Sequence, residues 1–214
     1  MNRPLFYTGI VLIIVLLSVS CTTEEVRHQV AFYNLENLFD TIDTPGVRDT
    51  EFTPEGDKEW DTQRYEKKLN NMASVIVGMA EAEEMEAPTI VGLCEMENRE
   101  VLEDLVNTSP LNDFDYRIVH ENSPDRRGID VALIYRSGYF NVEHFHSVPL
   151  MIENDEGERI YTRDQLVVSG LLQGEEIHFV VNHWPSRYGG RERSEPFRRA
   201  AARLSRSIVD WIQD

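Results

Sequence analysis

Val181-Asn182-His183-Trp184-Pro185-Ser186-Arg187-Tyr188-Gly189-Gly190 continues the apolar run Ile177 to Val181, and the reading of that junction decides the fold. A short apolar run that ends in a polar Asn-His pair predicts a β-strand carrying His183 at its tip. Pro185 biases Trp184 to an extended conformation, so the loop leaves the strand along a fixed path. An imidazole on such a rigid element is placed as a catalytic side chain must be. A lone histidine there also has an ordinary reading, a ring satisfied by a neighbouring carbonyl at a strand edge. The recurrence of the arrangement elsewhere in the chain decides between the two.

Val30 to Tyr33 is an apolar run that ends in Asn34, followed by Leu35, Glu36 and Asn37. Thr89 to Cys94 ends in Glu95, with Glu97 and Asn98 beyond it. Asp125-Arg126-Arg127-Gly128-Ile129-Asp130 precedes the apolar run Val131 to Tyr135, and Arg163-Asp164 precedes Leu166 to Leu171. Sheet edges that gather Asn, Glu, His and Arg can hold a hard divalent cation through oxygen and grip an anion with guanidinium forks.

With these segments in this order, the chain resembles the endonuclease/exonuclease/phosphatase superfamily, which includes pancreatic deoxyribonuclease, bacterial sphingomyelinases and inositol-polyphosphate phosphatases. AFYNLENLF, IVGLCEMEN, RRGIDVALIYR and VVNHWPSR are the four motifs that carry the resemblance, over about residues 28 to 205. Their wording is closest to a branch of secreted bacterial proteins. The resemblance implies an α/β fold, a four-layer sandwich of two mixed and antiparallel sheets between outer helices. It also implies a metal-dependent hydrolase of phosphate esters, of phosphodiesterase or endonuclease type, with nucleic acid among its candidate substrates. Glu95 would hold Mg²⁺ (or Mn²⁺), His183 would act as general acid at the leaving oxygen, and Asn34 would orient a metal water or a phosphate oxygen. Asp130 would orient an arginine or His183, while Arg127, Arg163, Asn182 and Arg187 would bind phosphate.

Two later motifs of the superfamily, an Asp-x-Asn and a final Asp-His pair, have no counterpart here. We therefore expect a C-terminally truncated domain, and the rival expectation is a non-catalytic remnant or binding protein. A glycosidase pair of Glu95 and Glu97 is disfavoured, because residues two apart on one strand sit closer than the roughly 5 to 9 Å that chemistry uses.

Met1-Asn2-Arg3 and the apolar run through Val19 read as a secretory signal, too short for a span of roughly 20 residues. Ser20-Cys21 resembles a lipoprotein cleavage box. We expect residues 1–21 to be a signal ending at a lipidated Cys21, 22–27 a tether and 28–214 the partial domain. The protein would then sit in the bacterial cell envelope, held to an outer membrane or surface by its lipid alone. Cys94 is the one other cysteine, so no internal disulfide forms if Cys21 carries lipid. Alternation should point Cys94 and Glu95 to opposite faces of their strand, with Cys94 in the core.

A net charge of −17 argues against holding long nucleic acid by charge alone. The balance reverses locally: Arg187, Arg191, Arg193, Arg198, Arg199, Arg203 and Arg206 face only Glu192 and Glu195 within that span. Arg187 and Arg191, beside Gly189-Gly190, are placed for phosphate contact. Thr44 to Lys58 reads as a surface loop forming one wall of a cleft. A helix should start at Asp61 with Tyr65, Leu69, Met72, Ile76 and Met79 inward and Arg64, Lys67 and Lys68 outward. Asn98 should cap a short helix, Gln173-Gly174 should turn a hairpin, and a last helix should run from about Pro196 to Trp211.

Overall fold

Asp61 accepts a hydrogen bond from the Arg64 amide and so caps α1 (Thr62–Gly78), and Asn98 does the same for α2 (Arg99–Val106) through Val101. Both caps stand where the sequence put them. The structure, a computed structural model, describes residues 26–213. The segments expected to form a signal peptide ending at Cys21 and most of the tether lie outside the described residues. Among the described residues no helix is long and apolar enough to cross a membrane.

The first sheet contains β1 (Val30–Leu38), β2 (Ile90–Met96), β3 (Tyr116–His120) and β4 (Asp130–Arg136), in the order β1-β2-β4-β3. The β1/β2 pair is parallel and the other two pairs are antiparallel. The second sheet is antiparallel and contains β5 (Phe140–Val148), β8 (Gln165–Leu172) and β9 (Glu175–Val181) in the order β5-β8-β9. Gln173 and Gly174, both at positive φ, close the β8/β9 hairpin as their sequence demands. A small hairpin of β6 (Ile152–Glu153) and β7 (Arg159–Ile160) was not foreseen, because strands this short carry no periodicity.

Alternation along β4 shows how the layers stack. Ala132 and Ile134 join Leu69, Ile76, Val91, Leu93 and Leu102 beneath α1 and α2, while Val131 and Leu133 join Cys94, Phe140, Leu166, Val168 and Val181 between the sheets. A strand buried on both faces must be apolar throughout, which is why Val131 to Tyr135 shows no polar alternation. Each fully buried aliphatic side chain contributes about 1.5–3 kcal/mol. The third helix, α3 (Arg191–Gln213), forms the fourth layer. Phe197, Ala200, Ala201 and Leu204 pack with Leu150, Ile152 and Ile160, and the buried Gln165 of β8 donates to the Ala201 carbonyl and accepts from Ser205. The architecture is the expected α/β sandwich. α3 begins at Arg191, ahead of the expected Pro196, so the proline falls in the second turn and removes one backbone hydrogen bond there.

Candidate functional site

The site is built where β1 and β2 lose their regular register. The two strands pair residue for residue from Val30↔Ile90 to Asn34↔Cys94, then resume only at Leu38↔Met96. On its other side β2 steps from Cys94↔Val131 to Met96↔Asp130, so Glu95 is an extra residue in a β-bulge. Glu36, Asn37 and Glu95 all lie in the left-handed region, with φ of 50, 62 and 62°. That backbone is uncommon for residues other than glycine.

The bulge changes the parity of β2. Val91 and Leu93 pack under the helices and Ile90 and Cys94 between the sheets, so regular alternation would send Glu95 under the helices and Met96 between the sheets. Instead Met96 packs under the helices, and Glu95 reaches across to the second sheet. Cys94 is in the core as expected, but the bulge turns Glu95 toward the second sheet as well, where opposite faces were expected; burial first and the Glu95 charge second push the thiol up to about 12. Lys68, expected to face outward, is half-buried and donates to the carbonyls of Glu36 and Asn37 at 2.5 and 3.0 Å, fixing the bulged part of β1. Burial lowers its pKa.

Glu95 meets His183. Its Oε1 lies 3.3 Å from Nε2 of the imidazole, and the two side chains are 17% and 21% exposed. His183 Nδ1 is buried without a partner. Desolvation lowers the imidazole pKa below its ordinary value, the Arg163 charge lowers it further, and Glu95 opposes both. Asn34 follows Phe32 on the face turned toward the second sheet, where Phe32 and Val181 both crowd Gly92, and its Oδ1 accepts from the Glu36 amide at 2.7 Å.

Arg163 does not stand as a phosphate clamp. Its side chain is 7% exposed, and every nitrogen of its guanidinium donates inward. Nη1 meets Asp125 Oδ2 at 2.9 Å, Nη2 meets the carbonyls of His183 and Trp184 at 2.9 and 3.1 Å, and Nε meets the His183 carbonyl at 3.2 Å. Arg163 is thus the strut that fixes the His183 loop. Asp125, to which the sequence assigned no role, is its buried counter-charge. Asp130 is also reassigned: its carboxylate accepts from Ser123 and pairs with His120 Nε2 at 2.9 Å, away from His183 and the arginines. A carboxylate at the start of β4 gives no hint in sequence of whether β2 or β3 supplies its partner.

Arg127 is half-exposed, 3.5 Å from Asp125, and close enough to His183 to lower its pKa. Asn182 is half-buried and donates to the Val180 carbonyl at 3.2 Å, while Arg187 is exposed on the loop. Glu97 is buried, accepts from the Asp40 amide and the Thr44 hydroxyl, and has its pKa raised to about 7, first by desolvation. It anchors the start of the Thr44 to Lys58 loop, whose Phe52 is buried with Phe39 and Ile129.

The donors suit a hard, water-rich cation. Among the described residues no group of three or more His, Cys, Asp or Glu is arranged to enclose an ion. The single carboxylate of Glu95 is nevertheless a donor that Mg²⁺ accepts, since it keeps several waters and takes one or two carboxylates plus substrate oxygens.

The profile of the Endonuclease/Exonuclease/phosphatase family matches residues 29–214. The chain belongs to this family. No curated protein sequence matches it. Three solved structures share its fold. An endonuclease/exonuclease/phosphatase family protein of Bacteroides thetaiotaomicron has a TM-score of 0.52 at 16% identity, over 87% of this chain and 59% of that one. A mannosyl-6-phosphatase of the same bacterium has a TM-score of 0.50 at 15% identity, over 87% and 60%. A humanized TDP2 of D. rerio has a TM-score of 0.50 at 12% identity, over 87% and 56%. This family member therefore spans between 56% and 60% of the length of those chains.

Proposed function

We propose that this chain carries the cation-binding and leaving-group side of a phosphoester hydrolase site, of phosphodiesterase or endonuclease type. The observation that supports this most is the 3.3 Å approach of His183 Nε2 to Glu95 Oε1, made by residues at the ends of strands in two different sheets. The family match supports the same class of chemistry.

Glu95 would be the ligand for Mg²⁺ or Mn²⁺, and the Asn34 carboxamide would orient a water or a phosphate oxygen. When bound, such an ion withdraws charge from a non-bridging oxygen and so eases the build-up of negative charge. Arg127, partly free of Asp125, takes another non-bridging oxygen by a charge-assisted hydrogen bond. His183 presents Nε2 to the leaving oxygen. Burial lowers the imidazole pKa, so the imidazolium form is a stronger acid, which gives its proton to the leaving alkoxide and is left as neutral imidazole. Arg163 holds the loop carbonyls so that the ring cannot swing away. Asn182 and Arg187, on the same loop as His183, would supply further phosphate contacts.

Hydrolysis of bis(p-nitrophenyl) phosphate with Mg²⁺ or Mn²⁺, and calorimetric titration of either ion, test this reading together. Turnover should fall about 10²- to 10⁴-fold in His183→Ala, and Glu95→Ala should lose both turnover and ion binding. Turnover indifferent to both substitutions would reject the site. Phosphate and ion binding without any turnover would favour the binding-protein reading instead.

A further inference from the structure

We propose that the groove between Trp184 and the first turns of α3 is a second anion subsite, which takes a further phosphate of the same substrate while the scissile one lies at His183. This rests on the phosphoester reading above and narrows it to substrates with more than one phosphate.

The groove has a volume of about 330 Å³ and is lined by Trp184, Arg191, Glu195, Arg198, Arg199 and Ala202. Its charges do not cancel. Arg199 is paired with Glu195 at 2.9 Å, but Arg198 donates only to the Ser194 hydroxyl and, at 3.3 Å, to the Arg191 carbonyl. Arg191 is exposed and has no acidic partner within ion-pair distance among the described residues. Two guanidinium groups are therefore uncompensated in a chain whose net charge is −17. An acidic protein gains nothing in solubility from concentrating unpaired cations in one groove, whereas an anionic ligand would pair with both.

Arg198 is also held in place. It is half-buried, and its partner Ser194 is 2% exposed and itself anchored to the Gly190 carbonyl at 2.6 Å. A cation fixed before the ligand arrives loses little entropy on binding. The wall opposite α3 is the indole of Trp184, 40% exposed, whose carbonyl Arg163 holds at 3.1 Å. Trp184 is the residue after His183, so one buried strut sets both the ring that serves the leaving oxygen and the wall of the groove. A flat aromatic face beside guanidinium groups accepts a nucleobase by stacking. A sugar or polyol bisphosphate would use the arginines alone.

The test is calorimetric binding to the full chain in chelator-containing buffer, with inorganic phosphate, thymidine monophosphate, thymidine bisphosphate, fructose monophosphate and fructose bisphosphate as probes. Each bisphosphate should bind about tenfold or more tightly than its monophosphate, the worth of a charge-assisted pair. Arg191→Gln, an exposed substitution that does not threaten the fold, should remove most of that ratio, and Arg198→Gln the rest. A thymidine ratio above the fructose ratio that disappears in Trp184→Ala assigns the groove to a nucleotide strand, and equal ratios assign it to small bisphosphates. Equal affinity for mono- and bisphosphates, or a ratio indifferent to Arg191→Gln, overturns the subsite and leaves the His183 site untouched. Failure of every probe to bind rejects the subsite, while the metal-dependent turnover assay decides the His183 site separately.

Discussion

Replacing Arg163 by Met should be among the most damaging single changes in the chain. The guanidinium bridges Asp125 at 2.9 Å and the carbonyls of His183 and Trp184, and the two charged side chains are 7% and 5% exposed. Methionine keeps the aliphatic bulk, so the loss is electrostatic and polar. Removing one member of a buried pair leaves the other desolvated and uncompensated, at a cost of about 3–5 kcal/mol. Asp125→Asn in the same molecule keeps an acceptor for the Arg127 amide, which now bonds Asp125 Oδ1 at 2.9 Å, while abolishing the stranded charge. The double variant should regain roughly 1–3 kcal/mol of the loss. Arg163→Lys should rescue little, because an ammonium cannot span three acceptors in one plane. Urea titration followed by tryptophan fluorescence measures all four proteins. A loss below about 1 kcal/mol in Arg163→Met, outside the range for a broken buried pair, would refute the strut. A double variant no more stable than the single one would refute it equally.

Asp164 is 9% exposed, its Oδ1 has no partner, and desolvation raises its pKa above the ordinary 3.8. A raised carboxylate contributes stability below its unfolded pKa and loses it as pH rises through the folded one. Asp164→Asn should therefore melt higher than the wild type at neutral pH, with an advantage that shrinks toward pH 4 in a thermal-melt series. A Cβ at Gly170 would overlap the Asn141 carbonyl oxygen, where β5 loses register against β8. Gly170→Ala should cost about 1–3 kcal/mol of unfolding free energy, and an unchanged urea midpoint would contradict that packing. If Cys21 is lipidated, Cys21→Ala should abolish incorporation of labelled fatty acid and detergent partitioning, and unchanged partitioning would disprove the anchor.

The sequence displays whatever depends on local chemistry. Asp61 and Asn98 cap their helices, Gln173-Gly174 turns its hairpin, and apolar runs mark the strands that become the two cores. His183 and Glu95 come together as their positions at strand ends implied. What fails is pairing between distant segments. Asp125 and Asp130 are both carboxylates on the approach to β4, and only packing decides that the first meets Arg163 and the second His120. Lys68 has the spacing of an outward residue, yet its long stem lets the ammonium fold back onto β1. Pro196 resembles a helix start because the proline preference for a first turn is strong, but the Ser194 hydroxyl and amide hold Gly190 and let the helix begin earlier.

The deviation at Glu95 links this fold to its chemistry. Left-handed backbone in a residue other than glycine costs on the order of 1–3 kcal/mol, and three such residues meet at one joint between β1 and β2. A sheet needing only to cover its helices would keep regular alternation there. Leu35, Leu38 and Met96 are fully buried on either side of the joint, and Lys68 ties the Glu36 and Asn37 carbonyls together, so the surrounding structure holds the strain in place. The parity change lets Met96 fill the helix-side core while Glu95 is delivered to His183. Without the extra residue, β2 would turn its carboxylate into an apolar core and the imidazole would face no partner from the first sheet. The bulge is therefore the step by which a carboxylate of the first sheet comes to face an imidazole beyond the second.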